Sequence, residues 1–210
     1  KQSWFQRSKK EKGNIMRDII SEFKRKRILV IGDIILDKYV LGSVSRCSPE
    51  APVPVLKKEN SKVTLGGAAN VASNIASLGG RVDLIGVIGN DNDAEILKDL
   101  FTENNINSRY VLTDPLTPTI VKERFVASNQ QLLRVDIEKQ ITLKTLQLPD
   151  TKYDAVIISD YGKGVITEKI VSEIIKKFKN IIVDPFPKHH RWYVGVDLIT
   201  PNHTEAQEMV

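Results

Sequence analysis

Short continuous apolar runs alternate along this chain with segments whose apolar residues recur at helical spacing, and this alternation limits the possible folds most strongly. Residues 28–31, 82–88 and 153–159 have the length and composition of strands buried on both faces. Residues 69–78 and 167–178 instead carry apolar residues three and four positions apart, as in amphipathic helices. Strands alternating with helices predict an α/β fold with a mainly parallel sheet flanked by helices.

Two helix starts carry local capping signals. Asn92-x-x-Glu95 resembles a capping box, in which the first side chain and the fourth satisfy each other's backbone N–H groups. Thr167 precedes a clean apolar stripe and is a good N-cap residue. We therefore predict that helices begin at these two places.

Two segments, about 38–64 and 119–136, break the alternation and are rich in β-forming residues. The first holds Pro49, Pro52 and Pro54, so a strand there is expected at a sheet edge or interrupted, because proline donates no ladder hydrogen bond. The second has two β-rich runs separated by Ser128-Asn129-Gln130, a composition typical of hairpin turns. Together they predict a small β-rich flap beside the α/β body.

The positive charge of the chain is concentrated in a basic leader, residues 1–27. This segment has ten Lys and Arg against three Asp and Glu, whereas residues 28–210 have 21 against 23. The leader therefore carries +7 and the body −2, which favours a solvated tail over a nucleic-acid or membrane-surface arm. No segment is apolar enough for a membrane span or a secretory signal, so we expect a cytoplasmic protein.

The numbers of cysteines and histidines exclude two further classes. Cys47 is the single cysteine, so the chain has no internal disulfide framework. Three histidines, two of them adjacent, make a poor zinc set.

A glycine-rich segment at residues 65–72 is the most informative local pattern. Gly66-Gly67-Ala68-Ala69-Asn70 precedes a predicted helix, where small residues let a ligand approach the backbone and the free N–H groups of the first turn. Tight packing between helix and sheet explains the small residues equally well. The segment is neither a Walker A loop nor a dinucleotide fingerprint.

The order of several motifs resembles the ribokinase-like (PfkB) carbohydrate kinases. Gly66 to Ala72, then Gly79 and Gly89, match that family's first signature. Four further motifs resemble those of the branch that acts on D-glycero-β-D-manno-heptose 7-phosphate. The kinase of that branch is often the first half of a chain that continues into a nucleotidyltransferase. The four motifs are Gly32-Asp33-x-x-x-Asp37, Ser48-Pro49-Glu50-Ala51-Pro52-Val53-Pro54-Val55, Asn129 to Asp136, and Ser159-Asp160-Tyr161-x-Lys163-Gly164. The resemblance runs from about residue 28 to the end and implies a ribokinase-like fold.

By this resemblance, one group of residues grips the sugar. Asp37 matches a carboxylate at the end of the first strand, with an N-cap or surface acid as the alternative. Gly66, Gly67 and Asn70 line the sugar pocket, and Asn70 offers both a donor and an acceptor. Asp160 is a second sugar contact or, alternatively, a loop cap.

The phosphate already present on such a substrate requires cations. Arg124 and Arg134, on the predicted flap strands, are our candidates because the guanidinium forks around phosphate oxygens. A salt bridge between Arg134 and Asp136 is the alternative. Lys163, between two glycines, either reaches phosphate or is a solvated charge.

The resemblance also implies ATP and Mg²⁺ as cofactors. Asn202 and Glu205 match an Asn-x-x-Glu motif that holds Mg²⁺ and the ATP phosphates through water, consistent with the preference of Mg²⁺ for carboxylates and retained waters. Capping by Thr204 is the structural alternative. The implied reaction phosphorylates the anomeric hydroxyl to the 1,7-bisphosphate, in ADP-heptose synthesis for the lipopolysaccharide core. A homodimer through the flap is implied as well.

The sequence departs from this branch at two motifs. The usual Asp-Pro-Lys is Asp184-Pro185-Phe186 here, which leaves the role of the following Lys188 open. The Gly-Ala-Gly-Asp segment that supplies the catalytic base in the family is not found in the 210 residues. We therefore assign no catalytic residue, and we expect the base beyond Val210.

Two expectations follow from the second departure, and two alternative functions stay open. We expect a C-terminally truncated chain that is inactive by itself. A PfkB-family kinase for another sugar or nucleoside is one alternative function. A non-catalytic sugar- or nucleic-acid-binding module is the other.

Overall fold

The structure is a computed structural model that describes residues 21–210, so most of the basic leader lies outside the described residues. The strands are β1 (Arg27–Gly32), β2 (Ile34–Cys47), β3 (Pro54–Gly66), β4 (Arg81–Ile88), β5 (Asn107–Thr113), β6 (Ile120–Ala127), β7 (Gln130–Ile137), β8 (Ala155–Ser159), β9 (Ile181–Asp184) and β10 (Leu198–Ile199). The helices are α1 (Gly67–Ser77), α2 (Asn92–Glu103), α3 (Glu168–Lys177) and α4 (His203–Glu208), with a 3₁₀ helix at Pro187–Tyr193.

Six strands form the main sheet in the order β10-β9-β8-β1-β4-β5, and every neighbouring pair is parallel. This confirms the predicted α/β architecture. Strand β5 was not predicted, because it lies at the sheet edge and its residues are half-buried or exposed rather than a continuous apolar run. No helix within residues 21–210 has the length and apolar character needed to cross a bilayer.

Helices cover the main sheet on both faces and divide its core into two clusters. Strand β1 contributes Leu29 and Ile31 to the cluster under α3, and Val30 to the cluster under α1 and α2. Successive strand residues point to opposite faces, so an unbroken apolar run is needed to fill both. All three side chains are fully buried, each stabilising the fold by about 1.5–3 kcal/mol.

Helices α2 and α3 both begin where predicted, but the residue that caps α2 is not the expected one. Asp91, not Asn92, caps α2, accepting a hydrogen bond from the Ala94 N–H at 2.9 Å. The Asp91 carboxylate also accepts from the N–H and hydroxyl of Thr119, just before β6, and this long-range contact was not visible in the local pattern. Thr167 caps α3, as predicted.

Four strands form the second sheet in the order β3-β2-β6-β7, which confirms a small β-rich flap. Strands β2 and β6 are parallel, and the two outer pairs are antiparallel. The prolines do not interrupt the strands: Pro49 and Pro52 lie between β2 and β3, and Pro54 is the first residue of the edge strand β3. Between β6 and β7, Ser128 and Asn129 have φ of 49° and 65°, as in the type I′ turn of a tight hairpin.

A buried polar network holds the amino-terminal end of the main sheet together. Asp83 accepts hydrogen bonds from Arg27, from Asn107 at 2.5 Å and from the Tyr153 hydroxyl at 2.5 Å. Burial opposes ionisation of Asp83, but the hydrogen bonds from Tyr153, Asn107 and Arg27 outweigh it and hold its pKa below the usual range. The network ties β1, β4, β5 and the segment before β8 into one unit.

We expect Asp83→Ala to lower the free energy of unfolding by about 3 kcal/mol, because three partly buried donors lose the buried acceptor that they share. The lowered pKa in the folded state means that this stabilisation is present above the pKa of the unfolded state, about 3.9, and is lost as the pH falls through the folded value. Urea unfolding at pH 7 and at pH 3 measures both effects. Asp150→Ala, at an exposed ion pair, is the control, and an equal loss in both variants would contradict the network's role.

Candidate active site

Asp33 organises the carboxyl end of the main sheet, where α/β folds place their ligands. It follows β1 directly and is fully buried. Its carboxylate accepts hydrogen bonds from the backbone N–H groups of Tyr161, Lys163 and Val165. Burial raises the pKa of Asp33, while these hydrogen bonds oppose the rise. Asp33 therefore shapes the loop after β8.

The two glycines at the start of α1 make room for the acids around them. Gly67 has φ of +55°, and a Cβ there would overlap the carbonyl oxygen of Asp33. A Cβ on Gly66 would overlap a carboxylate oxygen of Asp37. Larger residues would therefore displace Asp37 or the turn after β1. This close approach gives the small residues a purpose beyond helix packing.

Asp37 lies on the flap rather than at the end of the first strand, because the chain starts β2 at Ile34 after a one-residue break. Its Oδ1 accepts a hydrogen bond from Arg124 Nη1 on β6 at 2.6 Å, and only about a fifth of each side chain is exposed. The hydrogen bond that Arg124 donates to Asp37 raises the pKa of Arg124. The guanidinium also lies over the ring of Tyr39, 5.3 Å from its centre.

Cationic side chains form a row across one face of the flap. In the strand register, Tyr39 is opposite Lys62 on one side and Arg124 on the other, and Arg124 is opposite Arg134. Directly opposite residues share a face, so three cations and one aromatic ring lie side by side next to Asp37. Sequence reasoning found Arg124 and Arg134 but missed Lys62 and Tyr39, because nothing local sets the register of the β2–β3 hairpin.

Arg134 forms a salt bridge with Asp136, which is the alternative role considered for it from the sequence. Its Nε lies 2.8 Å from Asp136 Oδ1, and Lys122 Nζ lies 3.2 Å from Asp136 Oδ2. The Arg134 side chain is 49% exposed, and ion pairs this exposed contribute little stability. The pairing therefore leaves Arg134 free to exchange Asp136 for another anion at small cost.

Asn70 is exposed on α1 and lines a groove of about 280 Å³ between β3, α1 and α2. Thr64, directly opposite Asp37 in the register of β2 and β3, lines the same groove. The cross-strand pair of Asp37 and Thr64 therefore links Asp37 to the groove that Asn70 lines.

Asp160 has a different environment from the one expected of a sugar contact. Its side chain has no exposed surface. Oδ1 accepts from the Gly162 N–H at 2.8 Å, and Oδ2 accepts from the Tyr193 hydroxyl at 2.7 Å and lies 2.7 Å from His189 Nδ1. The geometry thus favours the loop-cap alternative. The partners His189 and Tyr193 were missed, because they lie about 30 residues further along the chain.

Lys163 sits in the loop that Asp160 and Asp33 hold. Its flanking residues Gly162 and Gly164 have φ of +68° and +102°, and its Nζ lies 2.7 Å from Glu138 Oε1 just after β7. Lys163 therefore bridges the main sheet and the flap.

The Phe186 side chain, which stands where the resembled branch has lysine, fills space beside the same loop. A Cβ on Gly162 would lie 2.7 Å from the Phe186 ring, which also meets the His189 ring edge-on. His189 in turn stacks on Trp192 at 3.6 Å between ring centres. Lys188 is exposed on the 3₁₀ helix. An aromatic cluster thus occupies the place where the related branch usually has lysine.

Asn202 and Glu205 form a complete capping box at the start of α4. Asn202 Oδ1 accepts from the Glu205 N–H at 2.9 Å, and Glu205 Oε2 accepts from the Asn202 N–H at 2.7 Å. These two residues, not Thr204, therefore cap the helix. Burial and the charges of Glu205 and Asp160 raise the pKa of Asp184 at the end of β9. A bound cation would lower the electrostatic repulsion among these carboxylates.

The catalytic base stays a prediction, because the 210 residues hold no Gly-Ala-Gly-Asp segment. Two buried carboxylates lie at this end of the sheet, and we do not assign the base to either. Asp33 and Asp160 each have three hydrogen-bond partners within the protein, which gives both a structural role.

A family model described as the pfkB family carbohydrate kinase matches residues 25–210. The chain belongs to this family. It is 42% identical over 199 residues to the bifunctional protein HldE of Aliarcobacter butzleri, covering 88% of this chain and 42% of that protein. It is 41% identical over 197 residues to the D-beta-D-heptose 7-phosphate kinase of Bordetella bronchiseptica, covering 89% of this chain and 62% of that enzyme. The chain thus spans between two fifths and two thirds of the length of these family members.

Solved structures support the ribokinase-like fold. A carbohydrate kinase from Agrobacterium tumefaciens superposes with a TM-score of 0.68 at 16% identity, covering 88% of this chain and 63% of its own. The ribokinase of Arabidopsis thaliana complexed with ribose and ATP superposes with a TM-score of 0.62 at 19% identity, covering 88% and 62%. At sequence identities of 16% and 19%, these superpositions confirm the ribokinase-like fold and nothing about the substrate.

Proposed function

We propose that this chain carries the acceptor-binding wall of an ATP-dependent kinase that phosphorylates the anomeric hydroxyl of D-glycero-β-D-manno-heptose 7-phosphate. The observation that carries the proposal is the flap row of Lys62, Arg124 and Arg134 in register beside Asp37. A carboxylate suits sugar hydroxyls, and adjacent cations suit a phosphate on the same molecule. The heptose 7-phosphate kinases among its relatives support this sugar over other pfkB-family substrates.

On the acceptor side, Asp37 and Asn70 grip hydroxyls while Gly66 and Gly67 let the sugar approach the first turn of α1. Asp160 contributes by holding the loop after β8, because its enclosed carboxylate has no surface to offer a ligand.

Arg124 and Arg134 bind the 7-phosphate, assisted by Lys62. Lys163 exchanges Glu138 for the same phosphate when the flap and the main sheet close around the substrate. Arg124, Arg134 and Lys163 are each paired with a carboxylate in the structure, so phosphate replaces a partner that is already present.

We propose that Asn202 and Glu205 help to hold Mg²⁺ and the ATP phosphates at the carboxyl end of the sheet, through waters and in addition to capping α4. Their oxygen donors fit Mg²⁺, which keeps several waters and takes few protein carboxylates. When bound, Mg²⁺ neutralises charge on the phosphates.

Phosphoryl transfer has a loose transition state, so positioning and charge stabilisation dominate its catalysis. The chain's own residues orient the acceptor through Asp37 and Asn70, and the flap excludes water that would hydrolyse ATP. The 210 residues hold no Gly-Ala-Gly-Asp segment to supply a base, a role typically worth ~10²–10⁴-fold. We therefore expect this chain by itself to bind its ligands without sustained turnover. The complete reaction would supply the 1,7-bisphosphate for ADP-heptose and lipopolysaccharide core synthesis in the cytoplasm, where ATP is available.

Calorimetric titration of the 210-residue chain with a panel of sugars tests the proposal. We expect heptose 7-phosphate to bind at least about tenfold more tightly than ribose, fructose 6-phosphate or adenosine, a difference of about 1.4 kcal/mol. Preference for any of those three would assign the chain to another branch of the family. Absence of all sugar binding, with salt-dependent retention on DNA, would favour a non-catalytic nucleic-acid module.

We also propose that two copies pair through the apolar face of the flap, defined by Val44, Val53, Leu132, Leu133, Val135 and Ile137. These side chains are 37–56% exposed, and isolated sheets seldom leave such a face open to water. Leu133→Asp places a charge at the centre of this surface and is expected to convert dimer to monomer in light scattering. Leu116→Asp, at an exposed position outside the flap, is the control. A wild-type monomer, or a dimer that survives Leu133→Asp, would overturn the proposal.

A further inference from the structure

Tyr161 occupies a central place at the carboxyl end of the main sheet, and no role has yet been assigned to it. Strand β8 lies between β1 and β9 in the sheet, and Tyr161 comes two residues after β8 ends. It therefore stands between Asp33, which follows β1, and Asp184, which ends β9. On one side is the flap with Asp37, and on the other is the start of α4 with Glu205.

The backbone around Tyr161 is held on both sides. Asp33 accepts a hydrogen bond from its N–H at 2.8 Å, and the enclosed carboxylate of Asp160 accepts from the Gly162 N–H. The Phe186 ring packs against Gly162. A residue held this firmly loses little freedom when a ligand binds, which lowers the cost of association.

The Tyr161 side chain, in contrast to this backbone, is open. It is 40% exposed, although the two residues before it are buried. Within residues 21–210, its ring stacks against no other aromatic ring and carries no cation above it. Burial and the charges of Asp184, Asp37 and Glu205 raise the pKa of the phenol, so it stays neutral at working pH.

A neutral aromatic surface among carboxylates suits one kind of ligand. A pyranose has hydroxyls around its rim and C–H groups on its faces, so it needs polar partners at the edge and an apolar surface beneath. Asp37 and Asn70 supply the polar partners, whereas tyrosine supplies a rigid apolar surface at low entropic cost.

Building on the proposed function, we propose that Tyr161 is a specificity-determining residue whose ring packs against the C–H face of the heptose pyranose. The ring, not the hydroxyl, makes the contact. The residue thereby favours a six-membered sugar ring over flat or open-chain acceptors and sets the position of the anomeric hydroxyl.

Calorimetric titration of the 210-residue chain with heptose 7-phosphate tests this role. We expect Tyr161→Ala to weaken binding about tenfold or more and Tyr161→Phe to stay within about twofold of the unaltered chain. Binding of ADP with Mg²⁺ is expected to be unchanged in both variants, which shows that the loop is still folded. Leu116→Ala, which removes exposed apolar surface elsewhere, is the matched control.

The possible failures are distinguishable. If the unaltered chain does not bind heptose 7-phosphate, the proposed function fails and this inference fails with it. If it binds and Tyr161→Ala binds equally well, the inference alone is wrong. Equal loss in Tyr161→Phe and Tyr161→Ala would also overturn it, because the hydroxyl would then make the contact.

Discussion

Asp37→Asn is expected to weaken binding of heptose 7-phosphate by about a hundredfold. Hydrogen bonds to a charged group contribute roughly 1.5–3 kcal/mol each, and two bonds to vicinal hydroxyls would lose their charge assistance. Every 1.4 kcal/mol corresponds to about tenfold in affinity. Asparagine keeps the shape beside Gly66, where a Cβ would overlap the carboxylate, so the glycine turn should remain intact. Titration calorimetry at constant salt measures the change.

The controls for this variant separate charge from folding. Asp99→Asn changes an exposed carboxylate on α2 and should leave sugar binding unchanged. Binding of ADP with Mg²⁺ should persist in Asp37→Asn, because Asn202 and Glu205 lie on a different element. A loss of less than about threefold, or about 0.7 kcal/mol, would show that Asp37 serves only to hold Arg124, and the acceptor assignment would be wrong.

The sequence predicts the main sheet well because its strands are buried on both faces. Such strands appear as continuous apolar runs, and β1, β4 and β8 all lie where the three predicted runs are. The edge strand β5 has no such signal, because one side of it meets no neighbour and its residues need not be apolar. Local composition therefore predicts the central strands and leaves the edge undetermined.

The candidate site was less predictable because its contacts join distant segments. Asp91 caps α2 and also binds Thr119, 28 residues away, so the local capping pattern at Asn92 was misleading. Asp160 is enclosed by Tyr193 and His189, whose positions depend on the 3₁₀ helix. The row beside Asp37 depends on strand register, and a shift of one residue would move its side chains to the other face.

Arg124→Met is expected to weaken binding of heptose 7-phosphate by roughly thirtyfold to a hundredfold, while binding of the unphosphorylated heptose falls only slightly. A guanidinium that binds phosphate through two hydrogen bonds contributes about 2–3 kcal/mol. Arg124 is the central cation of the row, between Tyr39 and Arg134 in the register, so its removal affects the phosphate most. Methionine retains the packing of the side chain against Tyr39. Titration of both sugars into the same preparation gives the ratio directly.

The ion pair between Asp37 and Arg124 makes the double variant informative. Because Arg124 Nη1 donates to Asp37 Oδ1 at 2.6 Å, each single change also releases its partner. We therefore expect Asp37→Asn combined with Arg124→Met to lose less affinity than the product of the two single losses, with a coupling of about 1 kcal/mol. Lys58→Met, on β3 and outside the row, is the matched control for the removal of one flap cation. Equal losses for the phosphorylated and the unphosphorylated sugar in Arg124→Met would contradict a phosphate contact and would leave Arg124 as a partner of Asp37 alone.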